Sequence, residues 1–264
     1  MKLTGIIIPC YNEYYRLDKE KFCQFLKENK NYHLCFVNDG SSDNTIDLLL
    51  EMKKSNPFRI HVLDLRENCG KATAVQEGAN YLASLDYIDN IGFLDADLST
   101  SLEEMHNLVE KLNSSAALRM VFGSRKAMKN DNIQRSFMRR LFSNFVSFFI
   151  RFILQLPIKD TQCGAKVFKK EIIENIYSQR FISRWLFDVE IFLRLKKHMG
   201  IKDILNYISE EPLDSWIEVE GSKITIKDSI LIPLNLLFIW FNYLKITSKS
   251  ASTIVKLKEI HMML

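Results

Sequence analysis

Two carboxylates separated by one residue, Asp95-Ala96-Asp97, follow the apolar run Ile91 to Leu94. Such a pair suits a hard divalent cation, which in turn grips a diphosphate and stabilises charge developing on a leaving group. Taken alone the same pair serves as a turn or a helix N-cap. A second cluster, Asp39-Gly40-Ser41-Ser42-Asp43, combines a tight turn at Gly40 with carboxylates able to accept hydrogen bonds from a base or a ribose. Lys71, after Gly70, is placed either to meet a phosphate or to begin a helix in solvent. Gly123-Ser124-Arg125 and Cys10-Tyr11-Asn12-Glu13 complete the polar set.

The elements that must carry these groups follow from hydrophobic periodicity. Leu3 to Ile8, Leu34 to Val37, Ile60 to Leu65, Ile91 to Leu94 and Met120 to Phe122 are short apolar runs, expected as buried strands. Helical patterns lie between them over Asp18 to Glu28, Asp43 to Lys54, Lys71 to Leu85 and Ser101 to Leu112, with Asp43 and Ser101 as N-caps. This alternation argues for an α/β fold with a mostly parallel sheet, and ligands of such sheets sit beyond the carboxyl ends of the strands. Every polar cluster above falls at that end.

The second half reads differently. Asn132 to Leu156 is a long amphipathic helix, Ile201 to Val219 reads as paired strands, and Ile226 to Leu244 is apolar and helical. In the first of these, Arg135, Arg139, Ser143, Ser147, Arg151 and Gln155 recur at helical spacing beside a face of phenylalanines. That pattern fits an interfacial helix with aromatics in acyl chains and arginines at headgroups, and fits a core helix less well. Arg139 and Ser143, at i and i+4, can address one phosphate. The run from Ile230 to Leu244 spans roughly 22 Å as a helix, short of a bilayer core of about 30 Å, so it lies on a membrane or in the core.

Composition sets wide bounds. With 36 Lys+Arg against 32 Asp+Glu the charge is +4, which calls for no nucleic-acid partner. The five cysteines show no metal or redox spacing, so a reduced cytosolic compartment is the default. No signal peptide precedes the first strand.

The ordered segments IIIPCYNE, FVNDGSSDNT, ENCGKATAVQEGA, FLDADLST, FGSRK, DTQCGAKVF, WLFDVE and WIEVEGSK resemble family 2 of the inverting nucleotide-sugar glycosyltransferases, from about Leu3 to Lys223. Within that family the chain is most similar to the branch acting on dolichyl phosphate, with glucosyl and mannosyl members. The resemblance implies a GT-A-type domain over residues 1–225, within which the amphipathic pattern of 132–156 is read as an interfacial helix; residues 226–264, outside the resemblance, are expected as a C-terminal amphipathic segment. It implies that Pro9, Tyr11, Glu13, Val37 and Asp39 line the nucleotide pocket. Lys71, Asp95, Ala96, Asp97 and Lys223 would contact the donor, and Asp95 and Asp97 would hold Mg2+ or Mn2+. Arg125 would face the reaction centre, Asp188 and Glu190 the acceptor side, and Arg125, Arg139 and Ser143 the acceptor phosphate. Asn38, Ala72 and Ser99 depart from the family pattern, and Ser99 together with WIEVEGSK favours the glucosyl branch.

The implied reaction moves a hexose, with UDP-glucose as the expected donor, onto a polyprenyl phosphate at the cytoplasmic face of a membrane, without a spanning helix. A homo-oligomer or a membrane-protein partner stays open. A phosphate monoester has its second pKa at about 6 and attacks without a general base, so one displacement would invert an α-linked donor to a β-linked lipid phosphosugar. Two other readings remain. One is a transferase acting on a saccharide hydroxyl with Asp188 as base; the other is a non-catalytic nucleotide-sugar-binding relative.

Overall fold

The computed structural model describes residues 2–125, 137–217, 219 and 231–243, with side chains described throughout except over 137–145. The first half alternates as expected: β1 (Thr4–Cys10), α1 (Lys19–Glu28), β2 (Tyr32–Asp39), α2 (Thr45–Ser55), β3 (Ile60–Leu65), α3 (Lys71–Ala83), β4 (Asn90–Leu94), α4 (Leu102–Ser114) and β5 (Met120–Ser124). The second half contributes α5 (Phe137–Leu154), β6 (Ala165–Lys169), α6 (Ile173–Tyr177), α7 (Phe187–Met199), α8 (Ile204–Tyr207), β7 (Ile208–Pro212) and a helix, α9, over 231–243.

Seven strands form one sheet in the order β3-β2-β1-β4-β6-β5-β7. β1 pairs in parallel with β2 and β4, β2 with β3, and β5 with β7, while β6 runs antiparallel to both its neighbours. The central strands are apolar on both faces because both faces are covered. Ile7, Cys35, Val37, Ile91 and Phe93 face the layer of α3, α5, α6 and α7. Ile6, Ile8, Leu34, Phe36 and Leu94 face the layer of α1, α2 and α4. Each large side chain removed from water in this way contributes about 1.5–3 kcal/mol.

Caps place the helix starts. Asp18 Oδ1 accepts Lys21 N–H at 3.1 Å, and Ser101 Oγ accepts Glu104 N–H at 3.2 Å. Asp43, expected as the N-cap of the second helix, lies one residue earlier. It closes a turn by accepting the Thr45 N–H at 3.0 Å, and Asn44 occupies the cap.

The expected paired strands over Ile201 to Val219 are not formed among the described residues. A turn and α8 lead into a single strand, β7, which joins the sheet edge beside β5. β6 was not anticipated, because Lys166 interrupts its apolar run. The last turns of α5 serve the core as well as the surface: Ile150, Ile153 and Leu154 are buried, while Phe148 and Phe152 are exposed. α9 behaves alike. Leu236 and Ile239 enter the same core, whereas Leu234, Phe238 and Phe241 face outward. No helix among the described residues is long and apolar enough to cross a membrane.

Candidate active site

The strand order reverses direction at β1, whose sequence neighbour β2 lies on one side and β4 on the other. The two strands are neighbours and α1 and α4 pack on the same face of the sheet, so the loops leaving β1 and β4 stand side by side at the carboxyl rim. After β1 the chain is stitched to the turn that precedes α2. Asn12 N–H donates to Ser41 Oγ at 2.9 Å, Asn12 Oδ1 accepts Ser42 N–H at 2.8 Å, and Glu13 N–H donates to Thr45 Oγ1 at 2.8 Å. Asn12 has φ +51°, a left-handed conformation that asparagine tolerates. Arg16, beyond this loop, reaches the loop after β4 at Asp97 Oδ2, 3.5 Å away, and turns back to Glu13 at 3.6 Å.

After β4, residues 95–99 form a tight turn. Leu98 N–H donates to the Asp95 carbonyl at 3.2 Å, and Ser99 N–H donates to Asp97 Oδ1 at 3.0 Å. Leu98 is held at φ +52°, strain of about 1–3 kcal/mol of the kind that gathers at functional turns. Lys71, the first residue of α3, places its Nζ on Asp95 Oδ1. Burial pushes the Lys71 pKa down, but Asp95, Asp188 and Asp97 outweigh it and the net shift is upward, so the group stays cationic. The other side of Asp95 is closed by Gly164, where a Cβ would overlap Asp95 Oδ2.

Arg125 follows β5 and meets Asp160. Nε lies 2.7 Å from Oδ2 and Nη2 2.8 Å from Oδ1, a two-pronged pair. Burial opposes the charge, yet Asp160 raises the Arg125 pKa further. Asp160 is itself aimed by Glu210 of β7, which accepts its N–H at 2.8 Å. The segment after β7 folds back over this rim: Ser215 N–H donates to Glu104 at 2.8 Å and Ile217 N–H to the Ser99 carbonyl at 3.0 Å. This lays Trp216 against the Arg125 guanidinium, 5.6 Å from ring centre.

Asp188, at the start of α7, is buried. Lys166 Nζ lies 2.5 Å from its Oδ1 and 2.6 Å from the Cys163 carbonyl. Burial raises the Asp188 pKa, while Lys166 and Lys71 oppose the rise. Glu190 belongs elsewhere. It is fully buried and accepts the N–H groups of Ile182 and Ser183, at 2.9 and 3.1 Å.

The structure thus brings Asp95, Asp97, Lys71 and Arg125 to one rim, with Asp188 buried near Lys71 and with partners that were not singled out as site residues: Arg16, Asp160, Lys166 and Trp216. Asp39 spends its carboxylate on the loop before α3, accepting Cys69 N–H at 2.8 Å and Gly70 N–H at 2.9 Å. Burial raises its pKa even against these bonds. Val37 is fully buried, so its side chain packs the floor beneath α3 and does not line an open pocket. Pro9 and Tyr11 are half-buried at the end of β1, Glu13 is buried beside Arg16, and Ala96 is buried under the turn. Arg139 and Ser143 sit on the backbone of α5, and their side chains lie outside the described residues. Lys223 also lies outside the described residues.

The donor chemistry fits a divalent cation. The Asp95 and Asp97 side chains are 30% and 25% exposed at one turn. Among the described residues no group of three or more His, Cys, Asp or Glu forms a closed cage. Mg2+ is commonly held this way, by one or two carboxylates completed by water and substrate phosphates.

Comparison with known proteins agrees with this architecture. The chain is 32% identical over 262 residues to the dolichyl-phosphate beta-glucosyltransferase of Saccharomyces cerevisiae, covering 91% of this chain and 75% of that one. It is 31% identical over 255 residues to the enzyme of the same name from Drosophila melanogaster, with 91% and 75% covered. In fold it is similar to glucosyl-3-phosphoglycerate synthase from Mycobacterium tuberculosis, solved with Mn2+, UDP-glucose and phosphoglyceric acid. There the TM-score is 0.65 at 15% identity, with 90% of this chain and 80% of that chain covered. Residues 5–177 match the Glycosyl transferase family 2 profile, and the chain belongs to that family.

Proposed function

We propose that this protein transfers glucose from UDP-glucose to a polyprenyl phosphate, inverting the anomeric centre to give a β-linked lipid phosphosugar. The observation that carries the reading is the Lys166–Asp188 pair. A hydroxyl acceptor needs a general base. The carboxylate best placed for that role is sealed in the protein and held by a buried ammonium 2.5 Å away. A phosphate acceptor needs no base, and a rim that carries the cations Lys71 and Arg125 suits it. The names of the relatives that match over most of this chain support the same acceptor and sugar.

In this mechanism the loops after β1 and β2 take the nucleotide. Lys71 offsets the charge of Asp95, and Arg16 stands beside Asp97, so the turn can approach a diphosphate. A divalent cation at Asp97 would neutralise charge on the leaving nucleotide. Asp160 uses two of the five N–H donors of Arg125 and leaves others to orient the attacking phosphate oxygen. Trp216 lies against the guanidinium and helps to hold its plane. Arg139 and Ser143 of α5 would meet the same phosphate.

Membrane binding is part of the proposal. Exposed Phe148 and Phe152 of α5 lie next to α9, with the Phe152 and Trp240 rings 6.0 Å apart, and Leu234, Phe238 and Phe241 extend the apolar surface. This two-helix face suits a peripheral position on the cytoplasmic side of a membrane carrying the lipid acceptor. The test is a transfer assay with polyprenyl phosphate and, in turn, UDP-glucose, UDP-N-acetylglucosamine and GDP-mannose. Lipid-linked glucose from UDP-glucose alone is expected; transfer to a saccharide hydroxyl but not to the lipid would refute the reading.

A further inference from the structure

The loop before α3 is held from a distance. Its residues Cys69 and Gly70 grip Asp39, and Lys71 extends from it to Asp95. On its outer side lies Arg184, whose Nη2 donates to the Asn68 carbonyl at 2.8 Å and whose own carbonyl accepts Ala72 N–H at 3.3 Å. The fit is close. Gly70 has φ +94°, and a Cβ there would lie 2.6 Å from Arg184 Nε.

Arg184 belongs to a loop, 178–186, whose backbone polar groups are taken up by side chains from two helices, α3 and α7. Gln76 of α3 donates to the carbonyls of Tyr177 and Gln179, at 2.6 and 2.9 Å. Arg194 of α7 donates to the carbonyls of Gln179 and Arg180, at 2.7 and 2.9 Å, with its guanidinium 4.1 Å over the Phe181 ring. Glu190 accepts the next two N–H groups, of Ile182 and Ser183. Buried loop backbone requires such partners, and moving one of them would strip several bonds together.

Both Arg194 and Glu190 end on one hydroxyl. Tyr243, the last residue of α9, accepts from Arg194 Nε at 3.0 Å and donates to Glu190 Oε2 at 3.2 Å. We propose that Tyr243 is a positioning residue for donor binding: it ties α9, through Glu190 and Arg194, to the Arg184 loop and so to the loop that presents Lys71. Seating of the apolar face of α9 on a lipid surface then favours the arrangement that binds nucleotide. This rests on the donor and membrane reading above, and goes beyond it by linking the two.

The test uses the full chain and calorimetric titration of UDP with Mn2+, with and without vesicles of phosphatidylcholine containing phosphatidylglycerol. Tyr243→Phe and Arg184→Ala are each expected to weaken UDP binding about 5- to 20-fold, the range of ordinary coupling between sites. The double variant is expected to lose little more than either single one, because both break one chain of contacts. Arg184→Lys restores part of the affinity by reaching the Asn68 carbonyl. Vesicles tighten UDP binding to the parent chain and not to Tyr243→Phe. Arg184 is exposed, so its variants keep the fold and leave the result readable if Tyr243→Phe does not fold. UDP affinity unchanged in Arg184→Ala, or strictly additive losses, would overturn the coupling while leaving the donor site intact. A parent chain that binds no UDP would overturn the donor reading itself, and the coupling with it.

Discussion

Asp160 grips Arg125 with both carboxylate oxygens, at 2.7 and 2.8 Å, across 35 residues of sequence, and also accepts the Arg125 backbone N–H at 3.0 Å. One acid therefore fixes the arginine's main chain and its guanidinium plane. Asp160→Asn keeps the shape and removes the charge. A charge-assisted contact is worth about 1.5–3 kcal/mol, so transfer should fall ~10- to 100-fold with donor affinity near that of the parent. Steady-state kinetics with a separate UDP titration checks the split.

The turn at Asp95 and Asp97 should fail as a unit. Asp97→Ala is expected to abolish metal-dependent donor binding. Gly164→Ala is expected to weaken it as well, because the added methyl displaces the Asp95 carboxylate. Calorimetry across a Mn2+ series reads both, and an unchanged metal dependence in Asp97→Ala would refute the assignment.

The Lys166–Asp188 pair is buried, so removing one partner leaves an uncompensated charge. Lys166→Met should cost about 3–5 kcal/mol in urea unfolding, and adding Asp188→Leu should recover part of it. Additive losses would mean that the two side chains do not depend on each other.

Acceptor class can be separated by two conservative changes. Arg139→Lys keeps charge and loses the planar fork that matches phosphate oxygens, so transfer to polyprenyl phosphate should fall ~10- to 100-fold. Asp188→Asn should be milder in the folded fraction. The reverse ranking points to a hydroxyl acceptor.

A pH dependence of stability is expected from the far end of the sheet. His33 Nδ1 lies 3.2 Å from His61 Nε2, and His61 Nδ1 lies 2.9 Å from the Tyr81 hydroxyl. Burial, and then the neighbouring His61 and Arg59, lower the His33 pKa to about 4, and burial lowers that of His61. The folded chain therefore binds fewer protons than the unfolded chain between about pH 6.5 and 4. Stability should be full above that window and decline as pH falls through it, by on the order of 1–3 kcal/mol. Urea melts at pH 7, 5.5 and 4.5 would show the slope, and His33→Leu should flatten it.

Sequence periodicity was enough for β1 to β5 and the helices between them, because an apolar run and its flanking turn residues lie within one short window. The polar clusters at strand ends were legible for the same reason, since a parallel sheet sends all those ends to one rim. β6 escaped because Lys166 stands in its centre, and a lysine is tolerated there only because Asp188 of α7 is present to neutralise it. Residues 201–219 misled because their apolar positions suit a hairpin as well as one edge strand, and only the open side of β5 decides between them.

By itself, then, the sequence determined the α/β alternation, the family resemblance and the polar clusters that follow β1, β2, β4 and β5. The tertiary structure decided what each of those groups is free to do. Arg125 is aimed by Asp160, Asp188 is held by Lys166, Asp39 is spent on a neighbouring loop, and Glu190 ties α9 to the loop of Arg184. These partners lie 22 to 53 residues apart. No local pattern encodes such a pairing, because a buried charge accepts whichever opposite charge the packed sheet and helices bring within about 3 Å of it.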